Sequence, residues 1–231
     1  MKKISKRLKQ AKQLITKKIY SPKESIELLK QTSTAKFIES TEVHVSLNID
    51  PKYADQQLRT TLLLPKGTGK KVRLAILLSE DKIKEDYKKQ ADIIGSMDLI
   101  EKITKGEINF DILISSPEMM PKLAKLGRVL GPKGLMPSPK SGTVSDDIEG
   151  TIEEFKKGKV EYKADKTGIV HLNFGKTNFS NEDLLENLLA VYKSIEQNKP
   201  SGVKGRYFNS FYVCNSMGPS IEINLTDLKD Y

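Results

Sequence analysis

The 231-residue chain has very few of the residues that build disulfides and metal centres. It contains one cysteine (Cys214), two histidines (His44 and His171) and no tryptophan. A single cysteine excludes an intramolecular disulfide and a zinc site made of several cysteines. Because the two histidines lie far apart in sequence, we predict a structural role for each, no metal site and no cofactor.

The chain also lacks long apolar runs. No stretch approaches the roughly 18 apolar residues that a membrane-spanning helix requires, and the basic N-terminus has no apolar segment typical of a secretory signal. We therefore expect no membrane partner and a protein that works where it is made.

Positive charge is abundant but confined to one region. The net charge is +9, and residues 1–36 contain ten Lys and one Arg against Glu24 and Glu27, or 11 − 2 = +9. The other residues balance, with 28 basic and 28 acidic side chains. This concentration favours phosphate neutralisation on a polyanion, whereas the alternative is a solvated helix face that aids solubility.

The two ends of the chain share one pattern. Helices are predicted at 5–18 and 22–30, where Ser21 and Glu24 form a capping box. Residues 43–49 alternate apolar and polar, which is typical of a strand with one face in water. Further strands are predicted at 58–64, 159–164, 169–174, 206–214 and 220–225, with a helix at 181–197 capped by Ser180.

The middle of the chain has a different pattern. Apolar strands at 72–78, 92–94 and 111–115 alternate with helices at 81–90, 98–104 and 117–126, which indicates a parallel sheet covered on both faces. We predict an α/β protein of two domains. Residues 1–67 and 159–231 form a discontinuous α+β outer domain with a mostly antiparallel sheet, and 68–158 form an inserted three-layer α/β domain. The crossings at Gly67, Thr68, Gly69 and Gly158 are candidate hinges.

Two glycine-rich segments could indicate phosphate chemistry. Gly67-Thr68-Gly69-Lys70 is not a P-loop, because Leu64 and Lys71 occupy the positions of its first glycine and its Ser or Thr. The segment 127–140 is rich in Gly and Pro and is predicted to have no regular structure. It is either an extended surface loop or an RNA contact. No catalytic residues emerge.

Two polar segments are candidates for RNA contact. Phe37 follows Lys36 and precedes several hydrogen-bonding side chains, so it could stack on a base or ribose; the alternative is a core phenylalanine. The segment 215–220 is a polar hairpin connection in which Gly218 permits close backbone approach.

These segments resemble the L1 family of large-subunit ribosomal proteins over essentially the whole chain. The most specific matches are Ala35-Lys36-Phe37, 50–57, 64–69, 127–144 and 216–220. The family implies a two-domain fold, no enzymatic activity and direct binding to large-subunit rRNA. Transferred by position, the implied RNA-binding residues are Lys36, Phe37, Glu39, Ser40, Thr41, Ser216, Met217 and Gly218, with His171 and Lys204 as weaker candidates.

The resemblance also implies partners and a location. It implies a mobile stalk on the large ribosomal subunit, transient contact with exit-site tRNA, and possible repression of the protein's own mRNA, but no small-molecule substrate. Residues such as Arg59-Thr60-Thr61 look like the cyanobacterial and plastid branch. We therefore expect an organelle-encoded protein of the chloroplast stroma, with bacterial cytoplasm as the alternative. The competing hypothesis is a phosphate- or nucleotide-handling enzyme built on the inserted domain.

Overall fold

A computed structural model describes residues 5–82, 87 and 91–231. The chain divides into two compact units, the first formed by the residues up to Gly69 together with Val160–Tyr231, and the second by Lys70–Lys159. The helix predicted at 81–90 lies mostly outside the described residues; of this region the structure describes a 3-10 turn at Glu80–Lys82 and the helical residue Tyr87.

The α-helices of the described residues are α1 (Lys6–Gln13), α2 (Pro22–Thr32), α3 (Met97–Thr104), α4 (Met120–Ala124), α5 (Gly127–Leu130), α6 (Ile148–Lys157), α7 (Asn181–Gln197) and α8 (Leu225–Lys229). The strands are β1 (Ser40–Leu47), β2 (Arg59–Leu63), β3 (Leu74–Leu77), β4 (Ile93–Gly95), β5 (Ile112–Ser115), β6 (Lys159–Lys163), β7 (Ile169–Lys176), β8 (Phe208–Asn215) and β9 (Ile221–Glu222). No described helix is both long enough and apolar enough to cross a membrane.

The first unit is built on a four-stranded antiparallel sheet in the order β7-β1-β8-β9. Strand β1 alternates as predicted: Val43, Val45 and Leu47 are buried, whereas Glu42 and His44 lie half-buried on the opposite face. One face of the sheet therefore belongs to the core, and the other, which we call the open face, is polar.

Helices α2 and α7 contact each other and supply apolar side chains to the core beneath this sheet. The predicted capping box of α2 is present, with Ser21 and Glu24 each accepting from the other's backbone N–H. Helix α7 begins after Ser180, whose hydroxyl accepts from Asp183 N. Both helix starts are confirmed, because capping chemistry is local and can be read from sequence.

The second unit has a three-stranded parallel sheet in the order β4-β3-β5. Central strand β3 is buried on both faces. Ala75 and Leu77 belong to one apolar cluster with α3 and α4, while Leu74 and Ile76 belong to another with α6. The predicted fold class, an antiparallel sheet plus a parallel α/β layer structure, is confirmed.

Several predicted boundaries are wrong. Helix α1 ends at Gln13 rather than 18, and Leu14 directly beyond it is 46% exposed. The strand predicted at 220–225 shrinks to Ile221–Glu222 because Asn224 caps the short helix α8. The segment predicted to lack regular structure begins with the helical turn α5, which buries Leu130 completely.

The glycine turn at 67–69 has a structural role. Gly69 has a φ of +70°, and a Cβ there would lie 2.8 Å from the Phe179 ring, so the backbone and the ring both require glycine. The preceding residues are tied to α7 by Asn187, which is fully buried. Its Oδ1 accepts from Lys66 N at 3.0 Å, and its Nδ2 donates to Gly67 O and Phe174 O at 3.0 and 2.8 Å.

We predict that Asn187→Leu lowers the free energy of unfolding by about 2–4 kcal/mol, because the buried partners of the amide lose their hydrogen bonds. Denaturant unfolding measures this change. The exposed Asn181→Ala in the same helix is the control and should stay within about 0.5 kcal/mol of the parent. An Asn187→Leu variant as stable as that control would contradict the assigned role.

Candidate nucleic-acid interface

Two loops emerge side by side at one end of the first unit's sheet. The Phe37 loop (residues 33–39) leads into β1, and the Met217 loop (residues 216–220) follows β8. Strands β1 and β8 are neighbours with Thr41 opposite Asn215, so the two loops leave the sheet at the same edge. Residues far apart in sequence are thereby brought together.

Large apolar side chains on these loops face solvent. Phe37 and Ile38 are each 56% exposed, Met217 is 50% exposed, and Lys36 is exposed beside them. The alternative of Phe37 as a core residue is therefore wrong. An exposed aromatic and an exposed methionine next to cationic groups are typical of a binding surface rather than of a fold-stabilising cluster.

A buried carboxylate connects the two loops. Glu39 has no exposed surface. Its Oε1 accepts from Ser33 Oγ at 3.1 Å and from Ala35 N at 3.2 Å, and its Oε2 accepts from Met217 N at 2.9 Å. Glu39 thus fixes the backbone that presents Phe37 relative to the backbone that presents Met217.

Ser216 ties the Met217 loop to strand β1. Its N–H donates to Ser40 O at 3.0 Å, and its hydroxyl donates to Glu42 Oε1 at 3.2 Å. Gly218 N donates to Asn215 O at 2.9 Å and closes the turn that carries Met217. The interface is consequently held by hydrogen bonds from both strands before any ligand arrives.

Arg7 joins the basic N-terminal helix to both loops. Its guanidinium donates to Met217 O at 2.9 Å and to Thr34 Oγ1 at 3.3 Å. Sequence reasoning did not select this residue. The available signal was that Arg7 is the one arginine among ten lysines in residues 1–36, and an arginine can make several directed hydrogen bonds at once.

The other predicted site residues are distributed unevenly. Lys36, Phe37, Ser216, Met217 and Gly218 lie together, and Ser40 is half-buried at the base of the Phe37 loop. Lys204 is exposed but precedes β8 and so lies at the opposite end of the sheet, about 20 Å away along the strands.

Two predicted contact residues are buried. Glu39 is 0% exposed and Thr41 is 1% exposed. In this structure neither side chain is open to a nucleic acid. Their contact with RNA stays a prediction, and their burial favours an indirect role. Glu39 instead orients the two loops.

The separate treatment of His44 and His171 also requires correction. The pairing of β1 with β7 places His44 opposite His171, and their Nδ1 atoms lie 2.7 Å apart on the open face. Cys214 Sγ lies 3.2 Å from His44 Nε2. Distance along the sequence was therefore a wrong reason to treat these residues separately.

Burial and hydrogen bonding shift the pKa values of ionisable side chains around His44 and His171. Burial, assisted by the neighbouring His171, lowers the pKa of His44, which favours its neutral form. Burial also raises the pKa of Cys214 to about 11. Asp165, which faces His171, has its pKa lowered to about 2 by hydrogen bonds from Ile169 N and from Thr167.

The segment 127–140 belongs to the second unit. Leu130 is buried against the α3–α4 side of the parallel sheet, and Leu135 and Met136 pack partly against the same cluster. Arg128, Lys133 and Lys140 are exposed. These apolar contacts hold the segment 127–140 against the second unit, and its basic side chains remain exposed.

Residues 29–219 match the ribosomal protein L1p/L10e family. This match covers most of the chain, including the Phe37 loop, residues 216–219 of the Met217 loop and the whole second unit. The protein therefore belongs to the ribosomal protein L1p/L10e family, a structural and non-enzymatic class. The alternative of a phosphate-handling enzyme is not supported.

Individual relatives agree with this assignment. The chain is 58% identical to "Large ribosomal subunit protein uL1c" of Guillardia theta over 230 residues, which is 100% of this chain and 98% of the relative. It is 60% identical to the protein of the same name from Phaeodactylum tricornutum, over 97% of this chain and 98% of the relative. It is 56% identical to "Large ribosomal subunit protein uL1" of Prochlorococcus marinus, over 100% and 98%.

We predict that Glu39→Gln uncouples the two loops. A neutral amide cannot accept from all three donors without turning an N–H toward one of them, so the free energy of unfolding should fall by about 1–3 kcal/mol. Amide hydrogen exchange at Met217 should accelerate as well. Glu27→Gln, an exposed change of the same charge in α2, is the control. Unchanged exchange at Met217 in Glu39→Gln would contradict the coupling.

Proposed function

We propose that this protein is a structural constituent of the large ribosomal subunit that binds 23S-type rRNA directly through the Phe37 and Met217 loops. The observation that carries the proposal is the pair of exposed side chains, Phe37 and Met217, fixed side by side by buried Glu39. Membership of the L1p/L10e family supports the ribosomal setting.

Each part of the interface has a distinct task in this proposal. Phe37 stacks on an unpaired base or a ribose, and Met217 supplies an adaptable apolar contact. The hydroxyls of Ser40 and Ser216 meet ribose 2′-hydroxyls, and Lys36 with the lysines of α1 neutralises phosphates. Glu39 and Thr41 act from inside the unit. His171 and Lys204 are peripheral contacts.

The finer functions are also proposals. Bound to rRNA, the protein would form a mobile stalk that assists release of deacylated tRNA from the exit site. Gly67, Thr68, Gly69 and Gly158 would be the hinge, and the division of the chain between Gly69 and Lys70 and between Lys159 and Val160 supports that position. Repression of its own mRNA would use the same loops on an RNA of similar shape.

The kind of relatives bears on the place of action. They include plastid uL1c and cyanobacterial uL1 proteins, which supports a plastid or bacterial origin. We propose the chloroplast stroma, with bacterial cytoplasm as the second candidate. Organelle fractionation followed by sedimentation of ribosomal subunits distinguishes the two.

We predict that the basic helix sets the salt dependence of RNA binding. Lys6, Lys9 and Lys12 are exposed on α1, so replacing all three with Gln should flatten the plot of log K against log salt by roughly one unit of slope for each phosphate that is no longer neutralised. Filter binding of an rRNA fragment between low and high salt measures this slope.

A matched variant tests whether position matters more than charge. Lys102, Lys122 and Lys125 are exposed in the second unit, and changing all three to Gln removes the same charge. This variant should leave the slope nearly unchanged. Equal slopes in the two triple variants would show that the N-terminal helix has no special part in binding.

We predict that the exposed apolar side chains supply affinity that salt does not remove. Phe37→Ala should weaken rRNA binding by about 1–3 kcal/mol, the usual value of an aromatic stacked on a base. Met217→Ala should also weaken rRNA binding. Tyr53 is 60% exposed beyond the far end of β1, so Tyr53→Ala is the matched control and should bind normally. Full affinity in Phe37→Ala and Met217→Ala would refute the site.

A further inference from the structure

The centre of the open face carries four potential metal-binding side chains. Glu42 and His44 come from β1, His171 from β7 and Cys214 from β8. Strand register explains their convergence, since His44 lies opposite His171 and Glu42 lies opposite Cys214. These four residues are too far apart in sequence for the cluster to be recognised from the sequence alone. The proposed binding of rRNA through the two loops does not explain why a thiol, a carboxylate and two imidazoles meet here.

Hydrogen bonding indicates which nitrogen of His44 is available as a ligand. His171 Nε2 lies 3.6 Å from the carboxylate of Asp165, and this negative charge favours the tautomer with the N–H on that nitrogen. In that tautomer His171 Nδ1 carries the lone pair, and at 2.7 Å it accepts from His44 Nδ1–H. His44 Nε2 is left unprotonated, with its lone pair directed at the cluster.

Three potential ligand atoms lie close together in this cluster. His44 Nε2 lies 3.2 Å from Cys214 Sγ and 3.8 Å from Glu42 Oε2. Three potential ligand atoms, one each from Glu42, His44 and Cys214, all lie within 4.8 Å of one another. Donors that share a tetrahedral zinc ion with ordinary bond lengths are separated by roughly 3.3–3.8 Å, so small side-chain rotations suffice to bind one.

We propose that Glu42, His44 and Cys214 bind one divalent zinc-type cation on the open face of the sheet, with His171 as a positioning residue. A thiolate, an imidazole and a carboxylate together favour Zn²⁺ over Mg²⁺ or Ca²⁺, which prefer oxygen ligands. Three protein ligands leave a fourth tetrahedral position open.

Asp165 and His171 complete the site from outside the coordination sphere. A carboxylate that holds the second nitrogen of a ligating histidine is a common feature of zinc sites, and here His171 is placed between the two. The side chains of His44 and Glu42 are 30% and 37% exposed, so a cation can enter from solvent.

Binding must displace a proton from Cys214. Cys214 Sγ lies 3.2 Å from His44 Nε2, and a cysteine binds a metal as the thiolate rather than as the thiol. On binding, the thiol proton leaves to solvent and the sulfur–metal bond forms, with no change in oxidation state. Glu42 keeps its other oxygen, Oε1, for Ser216, so the cation would sit one residue from the Met217 loop.

Cobalt substitution tests the site on the full-length protein, with any affinity tag removed and Cys214 reduced. Titration with Co²⁺ should produce one equivalent of a species with thiolate-to-cobalt charge-transfer absorption, and Zn²⁺ should abolish that band by displacement. Cys214→Ser should eliminate the band. Zn²⁺ affinity should fall by more than about 100-fold in Cys214→Ser and His44→Ala, because changes outside the coordination sphere already cost about 10–100-fold.

Ser46→Ala is the matched control on the same face of β1, two residues from His44. It should keep the band and the affinity of the parent. Thermal unfolding of each variant without metal verifies that the fold is retained. Absence of the band in the parent protein, or Zn²⁺ affinity that is the same in Cys214→Ser as in Ser46→Ala, would overturn the proposal.

A separate pair of variants tests His171. His171→Phe removes the acceptor for His44 Nδ1–H and should weaken Zn²⁺ binding about 10–100-fold while the charge-transfer band at saturating Co²⁺ survives. His171→Gln restores an acceptor and should recover much of the affinity. Equal Zn²⁺ affinity in His171→Phe and the parent would remove His171 from the site.

Discussion

The buried carboxylate of Glu39 is the constraint on which the proposed interface depends. A carboxylate without solvent is costly unless donors replace the lost water. Here the donors come from Ser33 and Ala35 on one side and from Met217 on the other. The need to satisfy one charge therefore determines the relative position of two loops that are far apart in sequence. Loops already ordered in the free protein lose less entropy when they bind a partner.

The central position of β1 explains why one sheet serves both stability and binding. Its inward side chains, Val43 and Val45, are fully buried. Its outward side chains, Glu42 and His44, meet Cys214 and His171 from the strands on either side. Because residues alternate between faces, the same register that assembles the core also assembles the polar cluster.

The fold was largely predictable because its signals are local. Period-two alternation in β1, the capping residues Ser21 and Ser180, and the apolar run of β3 each act within a few residues. The predicted boundaries of helices and strands were wrong where tertiary contacts determine them. Helix α1 ends before Leu14, which is exposed, and α5 forms because Leu130 has a buried place in the second unit. The helix propensity of the residues alone predicts neither the end of α1 nor the formation of α5.

The candidate site was predictable only in part, for a related reason. An exposed phenylalanine next to a lysine can be suspected from sequence, and family resemblance selected both loops. The burial of Glu39 could not be foreseen, since a charged residue between Ile38 and Ser40 looks like surface. The meeting of His44 with His171 depends on which strands pair and in which register, and those are properties of the assembled sheet.

The strand order also has a consequence for folding during synthesis. Strand β1 ends at Leu47, yet both of its neighbours, β7 and β8, lie beyond residue 168. At about 5–20 residues per second, β1 waits on the order of ten to thirty seconds before β8 has been made. The second unit is continuous in sequence and can fold within that interval. Meanwhile the apolar face of β1 and both of its backbone edges have no native partner, which makes this the period of greatest exposure to aggregation and to chaperones.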